Sequence, residues 1–194
     1  MTELDLMPAA TALGLLVQQV ADDRLGDPTP CPDYTVGDLV EHVGGLALAF
    51  TAAANKDLGA YTNSPPQPDA ARLTADWRAR IPADLVAMAQ AWQQPDAWTG
   101  MTRAGGVDLP GDVGGLVALD EIVLHGWDLA VATGHPFDVR GDLLEAVHGF
   151  VESFGADPQA RGGLFGPIVD VPADAPALDR VVGLAGRDPA WSRG

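Results

Sequence analysis

A single cysteine, Cys31, stands in a chain of 194 residues. One thiol cannot close an intrachain disulfide, and it excludes a zinc site built from several cysteines. Positive charge is also scarce. There are 11 Lys and Arg residues against 27 acidic ones, a formal net charge of −16, and Lys56 is the only lysine. That balance argues against nucleic acid, whose phosphates need basic contacts, and against an anionic membrane surface. Long hydrophobic runs are missing too. The longest, Val43 to Ala54, contains Gly44, Gly45 and Thr51 and falls short of the roughly 20 residues that span a bilayer. Glu3 and Asp5 precede any apolar segment, so the basic start of a signal peptide is not seen. The expectation is a soluble, cytoplasmic protein with neither nucleic acid nor membrane as a partner.

What is present reads as helix. The length suits one domain over residues 1–194, with a sizeable core. Leu13, Leu16, Val17 and Val20 recur at spacings of three and four, which predicts a helix from about Met7 to Asp22, with Pro8 in its first turn. Pro28, Pro30 and Pro32 make the following stretch a rigid connection. Thr35 and Asp38 resemble a capping box at the head of a second helix with the stripe Leu39, Val43, Leu46 and Phe50. A third helix follows the Pro-rich loop 55–68 and runs to about Trp92. Pro82 lies inside it and is expected to kink or split it. Residues 98–110, with Gly105-Gly106, suggest a short hairpin or an extended loop. A fourth helix is expected over 113–131, stopped by Gly134 and Pro136, and a fifth over 141–154. The remainder, 155–194, is a Gly/Pro-rich tail with a helical patch at 176–185. The expected fold is therefore all-α: a helical bundle over about 4–154, an additional C-terminal helix and a tail.

The most informative stretch is Glu121-Ile-Val-Leu-His125. Residues four apart on a helix are neighbours on one face, so both side chains can reach one cation. No Lys or Arg between Val113 and Ala132 neutralises Glu121. The plain alternative puts Asp120 and Glu121 on a solvated face and makes His125 a satisfied core histidine. His42 changes the balance. It sits between Leu39 and Leu46 at helical spacing and borders the core. Two imidazoles and a carboxylate from facing helices form a set suited to zinc, with a fourth position left open for water or substrate. Nickel, iron or manganese would suit the same donors.

These residues also carry a resemblance. Thr29-Pro-Cys-Pro-Asp-Tyr-Thr-Val-Gly-Asp-Leu-Val-Glu-His42 resembles the opening motif of the actinobacterial metal-binding proteins of the DinB / mycothiol-dependent maleylpyruvate isomerase superfamily. Asp120-Glu-Ile-Val-Leu-His-Gly-Trp-Asp-Leu-Ala130 resembles that family's most specific segment, and Phe165 to Ala175 its usual ending. The resemblance implies an up-down-down-up four-helix bundle with His42, Glu121 and His125 as metal ligands. It also implies a metal that activates a low-molecular-weight thiol, mycothiol in the named enzymes, against a small electrophilic substrate. Tyr34 stands where the family usually has Trp, Pro82 interrupts the third helix, and no second histidine precedes Glu121.

Other residues are weighed against plainer roles. Asp128, one turn beyond His125, could orient a ligand imidazole or simply bond nearby backbone. Trp127 reads as core, and Cys31 as a packing residue, since a catalytic thiol needs a basic neighbour. His135 reads as exposed, and His148 as structural or surface. Arg72, Arg78, Arg80 and Arg103 are the candidates to meet an anionic substrate. The functional reading is a thiol-dependent transferase or isomerase with a thiol and an electrophile as small-molecule partners. A metal hydrolase with Asp128 or Glu41 as base, or a non-catalytic metal-binding stress-response module, are the alternatives. A homodimer is among the assemblies such a chain could form.

Overall fold

The computed structural model describes residues 4–193, so Glu3 lies outside the described residues. Among them the chain forms seven α-helices and one two-stranded sheet. Helix α1 covers Met7–Gln19, α2 Val36–Ala54, α3 Trp77–Ala91 and α4 Gly111–Thr133. The first two pack against both α3 and α4, which gives a four-helix bundle in the up-down-down-up order. Its core holds Leu13, Val17, Val43, Ile81, Leu85, Met88, Leu119 and Val123.

Local chemistry accounts for the placement of α2. The Thr35 hydroxyl accepts from Asp38 N, and the Asp38 carboxylate accepts from Thr35 N, so the expected capping box is complete. The other Asp38 oxygen accepts from Ala70 N at 2.8 Å. One carboxylate thus fixes both the start of α2 and the incoming turn of the next segment. By length and composition α2 could cross a membrane, yet 72% of its apolar window is buried inside the protein.

Two expectations are corrected here and a third is narrowed. Helix α1 stops at Gln19, because Val20 turns to an extended backbone, and a separate 3₁₀ turn covers Asp22–Arg24. The third helix begins only at Trp77. Asp69 caps a single 3₁₀ turn at Ala70–Arg72 through Ala71 N, and Leu73 is extended. Of the two outcomes expected at Pro82, the split does not occur, because α3 runs through it. The ring removes one backbone bond, but the flanking Ile81 and Leu85 are buried, and that burial holds the turn.

The hairpin forms as β1 Met101–Ala104 and β2 Val107–Pro110, with Arg103 opposite Asp108. Gly105 and Gly106 have φ of 57° and 84°. Positive φ at both central positions is the turn that matches strand twist, and glycine adopts it without strain. Helix α4 follows directly from β2 and ends at Gly134, φ 78°.

Helix α5, Gly141–Glu152, packs on α4. The tail is more ordered than its composition suggests. It contains a short α6, Pro158–Arg161, and α7, Ala177–Leu184, which packs on α5. Arg161, 2% exposed, donates to the carbonyls of Gly155, Gly166 and Leu184 and so ties the tail together from inside.

Candidate metal centre

Helix α2 carries His42 between the buried Leu39 and Val43, and α4 carries Glu121 and His125 one turn apart. The packing of α2 on α4 brings the three together, with one ligand atom from each lying within 4.8 Å of the others. His125 Nε2 is 3.0 Å from Glu121 Oε2, and His42 Nε2 is 4.0 Å from the same oxygen. The two imidazoles stand edge to face, 5.0 Å between centroids. Both histidines are buried, while Glu121 is half-buried. Tyr34 covers them from the α1–α2 connection, its ring 5.3 Å from that of His42 and 6.4 Å from that of His125. A small apolar cleft lined by Val43, Leu46, Leu85, Met88 and Ile122 reaches Glu121.

The electrostatics favour positive charge between these groups. Burial, reinforced by the nearby His125, pushes His42 down to about 4, so its ring is neutral near pH 7. Burial would lower His125 as well. Its bonds to Asp128 and Glu121 outweigh that and raise it to about 9. Burial opposes ionisation of Glu121, but the bond to His125 and its charge hold the carboxyl below the usual range. In the absence of a metal, the position between the ligands attracts a proton. A divalent cation satisfies the same demand.

The donor set also fits a cation in its spacing. His42 meets Glu121 through Nε2; its other ring nitrogen, Nδ1, is buried with no hydrogen-bond partner. The 3.0 and 4.0 Å separations bracket the ~3.4 Å expected between ligand atoms about 2.1 Å from a tetrahedral cation.

Asp128 lies against His125, with Oδ2 3.1 Å from Nδ1. It is fully buried and takes Arg187 from beyond α7 on its other side. Asp120 does not lie on a solvated face. It is buried, with Oδ1 unpartnered, and burial next to the Glu121 charge raises it to about 8, so it is a neutral acid near pH 7. Trp127 is core. Cys31 is half-buried and pushed up to about 11 by burial and by the Asp128 charge. His135 is half-buried rather than exposed, and His148 is half-exposed on α5.

None of the four arginines proposed from sequence reaches the cluster. Arg72 pairs with Glu41, Arg78 with Asp22 and the Val20 carbonyl, Arg80 with Asp84, and Arg103 with Asp108 and Asn63. The arginine at the site is Arg187, which sequence reasoning missed. It lies 59 residues from its partner, in a segment with no helical periodicity to place it.

The fold and the cluster define a class first: an all-α, DinB-like bundle with its chemistry-bearing side chains between two facing helices. The particular family follows from sequence, because the family profile described as "Mycothiol maleylpyruvate isomerase N-terminal domain" matches residues 6–130, and the chain belongs to that family. An uncharacterized protein of Mycobacterium tuberculosis, found in two strains, is 28% identical over 188 residues, covering 92% of this chain and 93% of the relative. The crystal structure of a mycothiol-dependent maleylpyruvate isomerase superposes with a TM-score of 0.58 at 18% identity. That match covers 75% of this chain and 66% of the isomerase, so it spans slightly less than two thirds of that enzyme. A mutant of the same enzyme superposes equally well, at 17% identity.

Proposed function

We propose that the chain binds one divalent cation on His42, Glu121 and His125 and serves a thiol-dependent transfer or isomerisation of a small electrophilic substrate, with mycothiol as co-substrate. The supporting observation is the convergence of these three side chains from two helices, two of them buried, in a chain of this family. Two imidazoles and one carboxylate suit zinc, with nickel, iron and manganese as further candidates. A cation held there would supply Lewis acidity and lower the pKa of a thiol at its open position.

The remaining roles belong to the chain. His42 stays neutral near pH 7 and keeps its lone pair. Glu121 stays ionised and supplies the negative charge. Asp128 holds the His125 ring through Nδ1, which leaves Nε2 facing Glu121. Tyr34 covers both imidazoles, and a small apolar cleft reaches Glu121 from the bundle core. Cys31, raised to about 11, is a thiol rather than a thiolate near pH 7 and makes a poor nucleophile. The reactive thiol therefore comes from outside. A hydrolase would need a free base, and both candidates are engaged, Glu41 by Arg72 and Asp128 by His125 and Arg187. All three donors come from one chain, so a homodimer is not needed to complete the site. A cytoplasmic, reducing setting goes with the thiol chemistry.

Cobalt-substituted protein tests the reading. Added mycothiol, or a simple thiol mimic, should produce a sulfur-to-metal charge-transfer band that requires His125 and survives Cys31→Ser. No spectral change up to millimolar thiol would refute the thiol-dependent function and leave a non-catalytic metal module.

A further inference from the structure

Arg187 enters the site by a defined route. Helix α7 ends in a Schellman motif: Gly186 has φ 90°, its N–H donates to the Gly183 carbonyl, and Arg187 N donates to the Val182 carbonyl. Val181, Val182 and Ala185 are buried, so the motif is anchored to the rest of the protein. Arg187 is therefore presented from a fixed turn and not from a loose tail. Its Nε lies 3.0 and 3.2 Å from the two Asp128 oxygens, and Nη2 lies 3.0 Å from Oδ2. A planar fork of this kind fixes both the position and the tilt of a carboxylate. Asp128 Oδ2 in turn meets His125 Nδ1 at 3.1 Å, and Asp128 has no exposed surface. Without the guanidinium, a fully buried carboxylate would have only the imidazole as a partner, and its geometry would no longer be set.

The geometry points to Arg187 as a positioning residue: the C-terminal segment, docked through the Arg187–Asp128 pair, fixes the ring orientation and tautomer of His125 and so sets the cation affinity of the His42–Glu121–His125 cluster. This rests on the metal-site reading above. It assigns to the tail a function in the bundle's site that α2 and α4 alone do not supply. A purely structural clamp would hold the tail in place and leave the imidazole indifferent to its loss.

Competition between the full chain and a chromophoric chelator, with zinc as the probe, separates these roles. Arg187→Gln should weaken zinc binding roughly 10- to 100-fold, as loss of a partner behind a ligand imidazole does. Asp128→Asn should do the same. The double variant should lose no more than the larger single effect, because both act through one carboxylate. Arg187→Lys keeps the charge without the fork and should recover only part of the loss; it also carries the comparison if Arg187→Gln fails to fold. Arg193→Gln, in the same segment but paired with Asp27 at the surface, should leave affinity unchanged. Wild-type affinity in both Arg187 variants, or losses that multiply in the double variant, would overturn the proposal. A second arm needs no cation. In metal-free protein the His125 Nδ1 proton, followed by NMR, should exchange slowly in the wild type and rapidly in the Arg187 variants. Wild-type protein that takes no zinc would refute the metal reading, and this arm then decides the positioning role alone. An Nδ1 proton that exchanges equally slowly with and without Arg187 refutes that role.

Discussion

Metal-free protein should lose stability as pH rises from about 6.5 to 9, and the loss should trace to His125. The imidazole moves from an ordinary 6.5 to about 9 in the fold, where its bonds to Asp128 and Glu121 outweigh the cost of burial. A raised value means that the folded state holds the proton more tightly than the unfolded chain. The stabilisation is complete below about 6.5 and is gone once the pH passes about 9. At roughly 1.36 kcal/mol per pH unit, the span corresponds to about 3 kcal/mol. Asp120 adds a second decline that ends near pH 8, since its carboxyl is raised to about 8 by burial beside Glu121. Asp120→Asn removes that part. Urea denaturation of chelated Asp120→Asn protein at pH 6.5, 7.5 and 9 should then show the midpoint falling by about 1–3 M, for a slope of 1–3 kcal/mol per molar. The double variant Asp120→Asn/His125→Gln should lie nearly flat over the same range. Zinc-saturated Asp120→Asn protein should also be nearly flat, because a coordinated ring cannot titrate. Equal pH slopes with and without His125 would refute the reasoning.

Three further outcomes follow from the packing. Gly126→Ala should destabilise the protein by about 1–3 kcal/mol in thermal melts, because the new Cβ, one residue after His125, would stand 2.2 Å from the Phe137 ring; an unchanged melting temperature would contradict that contact. Thr35→Ala should cost about 1 kcal/mol in urea denaturation by removing the hydroxyl cap from α2. Chelation should leave the far-ultraviolet circular dichroism intact, because the core is built from all four bundle helices and does not depend on the cluster; loss of most helicity would mark a structural metal instead.

The bundle was legible because its signals are local. The Thr35–Asp38 cap, the Gly134 stop and the Gly105-Gly106 turn each depend on residues close in sequence, and each formed where expected. The meeting of His42, Glu121 and His125 was legible for a related reason, since two lie one turn apart and the third follows the core stripe of a facing helix. What escaped depends on distant partners. Pro82 reads as a helix breaker until the burial of Ile81 and Leu85 is known. Leu73 reads as helical until Asp69 is seen capping a short turn ahead of it. The plain alternative puts Asp120 and Glu121 together on a solvated face, yet Asp120 is buried, and nothing in a helical repeat tells which acid is. Arg187 and Arg161 sit in Gly- and Pro-rich sequence, where no periodicity announces that a guanidinium will be buried. The four arginines picked from sequence are held instead by acids or carbonyls near them in space.

The most direct measurement is the metal content of purified protein, in the wild type and in His42→Ala, Glu121→Ala and His125→Ala, after exposure to equimolar zinc and removal of the excess. About one equivalent per chain in the wild type, falling close to zero in each variant while helicity is retained, is the result expected of the proposed three-ligand site. Full occupancy in all three variants, or none in the wild type, would contradict it.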